Sequence, residues 1–307
     1  MTAKRPLITG TRGSVLALKQ TALVMEALLA AHPGLAIDTV EVRTEGDRDR
    51  NTPLSVLGGK GIFVKELELA LLDGRIDFAV HSLKDVPSSL PPGLVLTAIT
   101  RRADARDALV SRNGETLSEL PPRARVGTGS RRRRAELLQL RPDVVLIEVR
   151  GNVDTRIRQM RDGGVDAVVL AAAGLERLGR LGEAAQIFSA DELLPAIGQG
   201  ALAVETRAGD QQTRGLLAAV DDAETHTCTL AERAFLRRLG GGCLTPAAAY
   251  AVMEADGLYL RGFVAGEDNS VLRDAMRGSA NEPEALGDAL ADALAARGAL
   301  DLIARSG

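Results

Sequence analysis

Cys243 follows three consecutive glycines, Gly240-Gly241-Gly242, in a segment that we predict to be a loop. The glycines leave the thiol without neighbouring side chains, so a bulky group can approach it closely. A thiolate in such a place serves as a nucleophile or as a covalent tether. The alternative is a small buried apolar residue, which is the usual role of a single cysteine. The other cysteine, Cys228, lies inside a predicted helix, and we expect it to be buried.

A charged pair, Lys84-Asp85, stands just beyond an apolar strand predicted over residues 77–82. In open α/β sheets the carboxyl ends of the strands face the ligand crevice. Asp85 is suited there to stabilise a developing cation or to transfer a proton, with Lys84 maintaining its charge state. The alternative is a purely structural salt bridge between the two side chains.

The turn Gly127-Thr128-Gly129-Ser130 joins a predicted strand to a predicted helix. Free backbone N–H groups at such a turn, together with the hydroxyls of Thr128 and Ser130, form an anion site. The spacing fits neither a dinucleotide fingerprint nor a P-loop. Four arginines, Arg131–Arg134, follow in the first helical turn, where cations oppose the helix dipole. They predict either a bound anion or a solvated basic face.

Positive charge is concentrated in the middle of an acidic chain. The net charge is −3, yet residues 101–160 contain 14 arginines against 8 acidic residues. This asymmetry predicts an anionic ligand. Several arginines also stand in loops or just beyond strand ends, and arginine is the side chain suited to forked binding of carboxylates. These are Arg12, Arg150, Arg156 and Arg177.

Composition argues against several classes of protein. The chain has 307 residues, of which 45% are apolar, and this suits a soluble protein of two or three domains. It shows neither a secretory leader nor an apolar run of about 18 residues, so we predict a cytoplasmic protein without a membrane partner. The three histidines and two cysteines lack metal-ligand spacing. Only 2% of residues are aromatic, which disfavours nucleic-acid stacking.

Two stretches of the chain alternate short apolar runs with helical patterns, which predicts parallel strands in α/β layers. A charged break at 101–106 and a second break at 195–200 separate them, so we predict two lobes around a cleft, with the chain returning to the first lobe after Gly200. A capping box, Asp221 with Glu224, then begins a helix, and a predicted antiparallel meander of three strands follows it in a smaller α+β domain. The predicted domains are 1–100 with 200–219, 105–194, and 221–307.

Eight motifs, in order along nearly the whole chain, resemble those of the hydroxymethylbilane synthase (porphobilinogen deaminase) family. One such motif alone would be weak, whereas eight in sequence are specific. They are Thr11–Ser14, Gly58–Gly61 with Phe63–Glu68, His81–Pro87, Gly127–Arg133, Arg150–Val153 with Thr155-Arg156, Ala173–Leu175 with Arg177–Gly179, Pro195–Gly200, and Gly241–Cys243.

The resemblance implies a fold and an activity. The fold is two lobes like those of type II periplasmic binding proteins, plus a smaller C-terminal α+β domain. The activity is that of a monomeric transferase, which joins four porphobilinogen molecules, with loss of ammonia, onto a dipyrromethane cofactor. Water then releases the linear tetrapyrrole hydroxymethylbilane. The cofactor is held by a thioether to Cys243, and Asp85 matches the catalytic aspartate.

Most of the other matched polar positions bind the carboxylates of cofactor and substrate in the family. Two departures, Val15 for the usual proline and the additional Arg131 and Arg134, leave Asp85 and Cys243 untouched. The implied binding residues are Arg12, Ser14, Lys60, Ser82, Lys84, Thr128, Ser130, Arg132, Arg133, Arg150, Gly151, Arg156, Arg177 and Gln199.

Two other functions compete with this one. A solute-binding protein with the same lobes would normally carry an export signal and would not need a cysteine beside three glycines. A nucleic-acid-binding regulator rests on the arginine run alone and predicts salt-dependent binding to a duplex.

Overall fold

A computed structural model describes residues 5–42, 64–241 and 245–304. Lys60, one of the implied binding residues, and the predicted tether Cys243 lie outside these residues. The chain divides into two compact units, one of Met1–Arg102 with Ala201–His226 and the other of Ala103–Gly200 with Thr227–Gly307. None of the helices in the described ranges is long and apolar enough to cross a membrane.

In the first unit helix α1 lies where the sequence predicts it, whereas the strand before it, β1, was not predicted. Helix α1 starts after Ser14, whose Oγ accepts the Ala17 N–H at 3.2 Å, and it buries Gln20, Thr21, Val24 and Leu28 at helical spacing. The elements up to the first break are β1 Leu7–Thr11, α1 Val15–Ala31, β2 Ile37–Glu41, α2 Lys65–Leu72, β3 Phe78–Ser82 and β4 Leu94–Ile99.

The second unit contains two strands that were not predicted from the sequence, β5 and the two-residue β9. Asp107–Ser111 follows the charged break directly and has only three apolar residues, too few for a recognisable pattern. Ala172–Arg177 is a helix, although the apolar run before it predicted a strand as far as residue 173. The elements are β5 Asp107–Ser111, β6 Arg125–Gly127, α3 Arg131–Leu140, β7 Val145–Ile147, α4 Val153–Arg161, β8 Ala167–Ala171, α5 Ala172–Arg177 and β9 Gln186–Ile187.

The remaining chain completes the first unit and then forms a second part of the second unit. A strand and a short helix belong to the first unit, and a long helix then leads into an antiparallel meander, as predicted. The predicted cap of this helix, Asp221, is wrong by one residue, because the helix starts at Ala223 and the Asp222 Oδ1 accepts the Thr225 N–H at 2.9 Å. The elements are β10 Leu202–Arg207, α6 Gln211–Leu217, α7 Ala223–Arg238, β11 Ala247–Glu254, β12 Gly257–Ala265, β13 Val271–Gly278, α8 Pro283–Ala295 and α9 Ala299–Ala304. Helices α6 and α9 were not predicted.

The two five-stranded sheets share one arrangement. Their strand orders are β2-β1-β3-β10-β4 and β7-β6-β8-β5-β9. In each sheet three parallel strands are followed by one antiparallel strand, β10 or β5, which also pairs with the edge strand. Apolar clusters cover both faces of each sheet. The predicted fold class, α/β lobes with a smaller C-terminal α+β part, is confirmed.

The C-terminal sheet, β11-β12-β13, is covered by α7 and α8. Phe235 of α7 and Leu290 of α8 pack there against Leu260 of β12, and all three are completely buried. Cys228 of α7 is 4% exposed in the same core, which confirms the predicted buried role. The helices approach so closely at Gly287 that a Cβ there would lie 2.8 Å from the Ala234 Cβ and collide with the Ala231 carbonyl.

A pair of helical glycines tests this close approach. Gly287→Ala should lower the free energy of unfolding by about 1–3 kcal/mol, because the added methyl group meets backbone that cannot move aside. Gly215 of α6 is exposed, and a Cβ there meets nothing within 4 Å. Gly215→Ala should therefore stabilise the protein by about 0.5–1 kcal/mol. Denaturant titration measures the free energy of unfolding of both variants. Equal changes would show that the α7–α8 contact leaves room for a methyl group at position 287.

Candidate active site

The first unit brings two of the predicted binding segments together. Strands β1 and β3 are parallel neighbours, so the turn after β1 and the end of β3 lie at the same edge of the sheet. Helix α1, which starts after this turn, contacts the end of β3, because Gln20 donates from Nε2 to the Ser82 Oγ at 2.9 Å. Ser14 caps α1 within this turn, and Arg12 is partly buried just after β1.

Asp85 lies on a single 3-10 turn, Leu83–Asp85, that follows β3 without a break. The Leu83 N–H donates to the Ala201 carbonyl at 3.1 Å, and Leu83 itself is 1% exposed. The Val86 N–H closes the turn on the Leu83 carbonyl at 3.1 Å. The backbone of the turn is thereby fixed to the sheet, while the Lys84 and Asp85 side chains are partly exposed.

A buried contact between a histidine and a glutamate lies just before this turn. His81 Nε2 is 2.9 Å from Glu205 Oε2 on the neighbouring strand β10, and both side chains are almost completely buried. Burial raises the pKa of the nearby Glu68, and Glu205 raises it further while His81 opposes the rise. His81 belongs to one of the motifs that carry the family resemblance, whereas no role was predicted for Glu68 or Glu205.

In the second unit, three predicted binding residues share a single carboxylate. Asp107 at the start of β5 has no exposed surface. Arg132 and Arg133 each donate to it from Nη2 at 2.7 Å, and Gln199 donates from Nε2 at 2.7 Å. Burial alone would raise the pKa of Asp107, but the two guanidiniums outweigh it and hold the pKa well below its ordinary value.

The arginine run divides into two pairs. Arg131 and Arg134 are exposed, which is the solvated basic face, whereas Arg132 and Arg133 are 4% and 6% exposed. Consecutive helical side chains project about 100° apart, so four cannot share one direction. The buried pair donates to groups of the protein itself, and its role in binding ligand carboxylates stays a prediction. The Arg133 Nε is buried and makes no hydrogen bond within the described part of the chain.

The turn before these arginines is ordered by its own hydroxyls. Ser130 caps α3 by accepting the Arg133 N–H at 3.4 Å, and the buried Thr128 accepts the Ser130 N–H at 3.2 Å. Gly129 is exposed, and a Cβ there would be 3.1 Å from the Val149 carbonyl.

The other predicted arginines of the second unit are partly buried. Arg156 donates from Nε to the Gly151 carbonyl at 2.8 Å, and Gly151 has φ +99° with Thr155 close to the place of a Cβ. Arg150 donates to the exposed Glu148. Arg177 donates to the Gly200 carbonyl at 2.6 Å, and burial lowers the pKa of this guanidinium.

Glu136 is a second buried carboxylate that the sequence analysis missed. It lies one turn after Arg132 on α3 and has no exposed surface. It accepts from Arg132 at 3.0 Å, from the Leu194 N–H at 2.8 Å and from Arg273 of β13 at 3.1 Å. Burial raises the pKa of Glu136, and these three donors oppose the rise. No sequence signal marked Asp107 or Glu136, because both look like ordinary members of charged segments.

The described residues thus give two constellations, each within one unit. The first joins Ser14, Ser82 and the Asp85 turn, and the second joins Arg132, Arg133 and Gln199 through Asp107. Arg156 with Gly151, and Arg177 with Gly200, form separate pairs. Within the described ranges no group of histidine, cysteine and acidic side chains is placed to hold a metal ion.

Comparisons with known proteins cover nearly the whole chain. A family model described as "Porphobilinogen deaminase, dipyromethane cofactor binding domain" matches residues 7–215, and one described as "Porphobilinogen deaminase, C-terminal domain" matches residues 226–296. The porphobilinogen deaminase of Roseiflexus sp. (strain RS-1) is 52% identical over 98% of this chain and 99% of its own length. That of Syntrophotalea carbinolica is 49% identical over 96% of this chain and 94% of its own length.

Among solved structures, a nutrient binding protein from Burkholderia cenocepacia bound to methionine is similar to 71% of this chain. The match covers 93% of that protein, with a TM-score of 0.45 and 17% sequence identity.

Replacing the shared carboxylate tests whether it organises the second unit. Asp107→Asn should lower the free energy of unfolding at pH 7 by about 3–5 kcal/mol, because two buried guanidiniums lose their counter-ion. The pKa of Asp107 is lower in the folded than in the unfolded state, so its contribution is complete above about pH 4 and is lost as the pH falls through the folded-state pKa. The gap between wild type and variant should therefore narrow below about pH 4.

The control is Asp143→Asn. Asp143 also pairs with an arginine, Arg141 at 2.8 Å, but it is exposed, so little change is expected. Chemical denaturation at several pH values measures both variants, and a small loss for Asp107→Asn that does not vary with pH would contradict the assignment.

Proposed function

Because this chain belongs to the porphobilinogen deaminase family, we propose that it is a hydroxymethylbilane synthase whose catalytic carboxylate is Asp85 and whose cofactor tether is Cys243. The enzyme joins four porphobilinogen molecules on a dipyrromethane cofactor, with loss of ammonia, and releases the linear tetrapyrrole. The family match over both parts of the chain is the observation that carries this proposal. We also propose that the enzyme is monomeric and cytoplasmic and acts without a nucleic-acid or membrane partner.

The donors of the second unit suit a ligand rich in carboxylates. Arg133 Nε is a buried donor in need of an acceptor, and the described hydrogen bond of the desolvated Arg177 goes to a carbonyl rather than to a carboxylate. A carboxylate at either position would restore hydrogen bonding or charge balance. Arg150, just before Gly151, and Arg156, which donates to the Gly151 carbonyl, are further guanidinium groups suited to bind ligand carboxylates. When bound, the dipyrromethane supplies the terminal pyrrole ring to which the first porphobilinogen is joined.

Asp85 supplies negative charge where the reaction develops positive charge. Loss of ammonia from porphobilinogen leaves a cationic azafulvene, and attack by a pyrrole ring then places positive charge on that ring. A carboxylate on a turn already fixed by Leu83 and Val86 stabilises both cations without rearranging. Lys84 beside it, and Arg12 and Ser82 at the same sheet edge, are proposed to hold the substrate carboxylates.

Asp85→Asn keeps the shape of the side chain and removes its charge. We expect kcat to fall by about 10²–10³, the usual effect of losing one preorganised electrostatic group, with little change in KM. The intact mass should still show the cofactor. Asp73→Asn, which changes an exposed aspartate after α2, is the control and should retain full activity. Near-normal turnover of the Asp85 variant would show that Asp85 is not the catalytic carboxylate.

Intact mass and peptide mapping test the tether. The wild-type mass should exceed the sequence mass by two pyrrole units, located on the peptide that contains Cys243. Cys243→Ala should lack this adduct and be inactive, and it should unfold at a lower temperature because a native-state ligand is lost. Cys228→Ala, in the C-terminal core, is the control and should retain the adduct. An adduct on Cys228 would refute the assignment.

A further inference from the structure

Five charged side chains of alternating sign form a continuous chain through the second unit. Their order is Arg133, Asp107, Arg132, Glu136 and Arg273, and successive members are 2.7, 2.7, 3.0 and 3.1 Å apart. The first four belong to the β5 and α3 region. Arg273 belongs to β13 of the C-terminal sheet, which is matched by a different family model.

Arg273 is held in place from several sides. Its guanidinium stacks 5.1 Å from the centre of the Phe263 ring, and Nη1 donates to the Asp191 carbonyl at 3.4 Å. Its side chain is 38% exposed, whereas the Glu136 side chain that it contacts is fully buried. Arg273 therefore closes the solvent end of an otherwise buried chain of charges.

The charge of this chain depends on Arg273. Guanidiniums do not lose their protons in proteins. The described hydrogen bonds of both Glu136 oxygens come from N–H donors, so this side chain is an ionised acceptor. Three cations and two anions leave one net positive charge, directly after the turn Gly127–Ser130. Without Arg273, Glu136 neutralises Arg132 and the net charge falls to zero.

We propose that Arg273 is a positioning residue for carboxylate recognition, which neutralises Glu136 so that the Arg132–Arg133 pair retains a net positive charge toward an anionic pyrrole ligand. A residue of the C-terminal sheet thereby sets the affinity of a site on α3. The proposal rests on the proposed function, in which Arg132 and Arg133 bind the carboxylates of cofactor or substrate.

Kinetics of charge-changing variants test this proposal. Arg273→Gln should raise KM about tenfold, the scale of one unit charge acting through partly buried protein, and leave kcat within about twofold. Glu136→Gln raises the net charge to two and should lower KM below the wild-type value. The double variant Glu136→Gln/Arg273→Gln restores one net charge and should return KM to within about twofold of wild type.

Arg277→Gln is the matched control. Arg277 is also on β13, stacks on Tyr259 and pairs with Glu254, but it is exposed and lies outside the charge chain. It loses the same formal charge, and its KM should not change. A readout independent of turnover is the rate at which cofactor-free protein supplied with porphobilinogen gains the cofactor mass. This rate should be about tenfold slower for Arg273→Gln, on the same electrostatic scale, and normal for Arg277→Gln.

Several results would overturn the proposal. One such result is an equal KM for the Arg273 and Arg277 variants. Another is a KM of the double variant as high as that of Arg273→Gln, which would show that Arg273 only joins the sheet to α3. If Arg273→Gln does not fold, Glu136→Gln decides, because a raised KM contradicts the charge argument. The Arg132→Gln variant tests the proposed binding role separately. An unchanged KM in this variant refutes the binding role of Arg132. A raised KM in this variant, together with a normal KM in Arg273→Gln, refutes only the inference about Arg273.

Discussion

The enclosure of Asp107 is the constraint on which much of the second unit depends. A carboxylate removed from water costs several kcal/mol unless charges and donors compensate it. Here two guanidiniums and one amide do so, and each comes from a different part of the chain than Asp107 itself. The start of β5, the first turn of α3 and the segment around Gln199 must therefore meet at one point. The same requirement fixes which two of the four consecutive arginines turn inward.

Buried carboxylates also join the β5–α3 region to the C-terminal sheet. Glu136 links α3 to β13 through Arg273, and Glu232 of α7 links two backbone segments, accepting the Gly198 N–H at 2.7 Å and the Ala251 N–H at 3.0 Å. Glu232 has no exposed surface, so these bonds are strongly favoured over an unpartnered buried charge. The Pro195–Gly200 motif is thus held from both sides, by Asp107 through Gln199 and by α7 through Glu232.

The sequence predicted those features that follow from local periodicity and from capping. Ser14 as the cap of α1, the helix through the arginine run and the C-terminal meander all have such signals, and the structure confirms them. The strand β5 and the partners of Asp107 have none. Asp107 follows a run of charged residues and looks solvent-facing, because its burial is decided by Arg132, Arg133 and Gln199, which are distant in sequence. The family resemblance could name the arginines, but it did not provide the carboxylates that orient them.

Two aspartates of the same chemistry lie in opposite surroundings, which suit them to different roles. Both oxygens of Asp107 are committed to donors, and no solvent reaches it, so it cannot meet a substrate cation and instead holds the architecture. Asp85 is partly exposed at the end of β3, on a turn whose backbone is fixed by the Leu83 and Val86 N–H groups. A carboxylate can be both preorganised and accessible when its rigidity comes from the main chain. The partial exposure of Asp85 on a turn with a fixed backbone supports its proposed role in stabilising charge, whereas the complete burial of Asp107 excludes that role for Asp107.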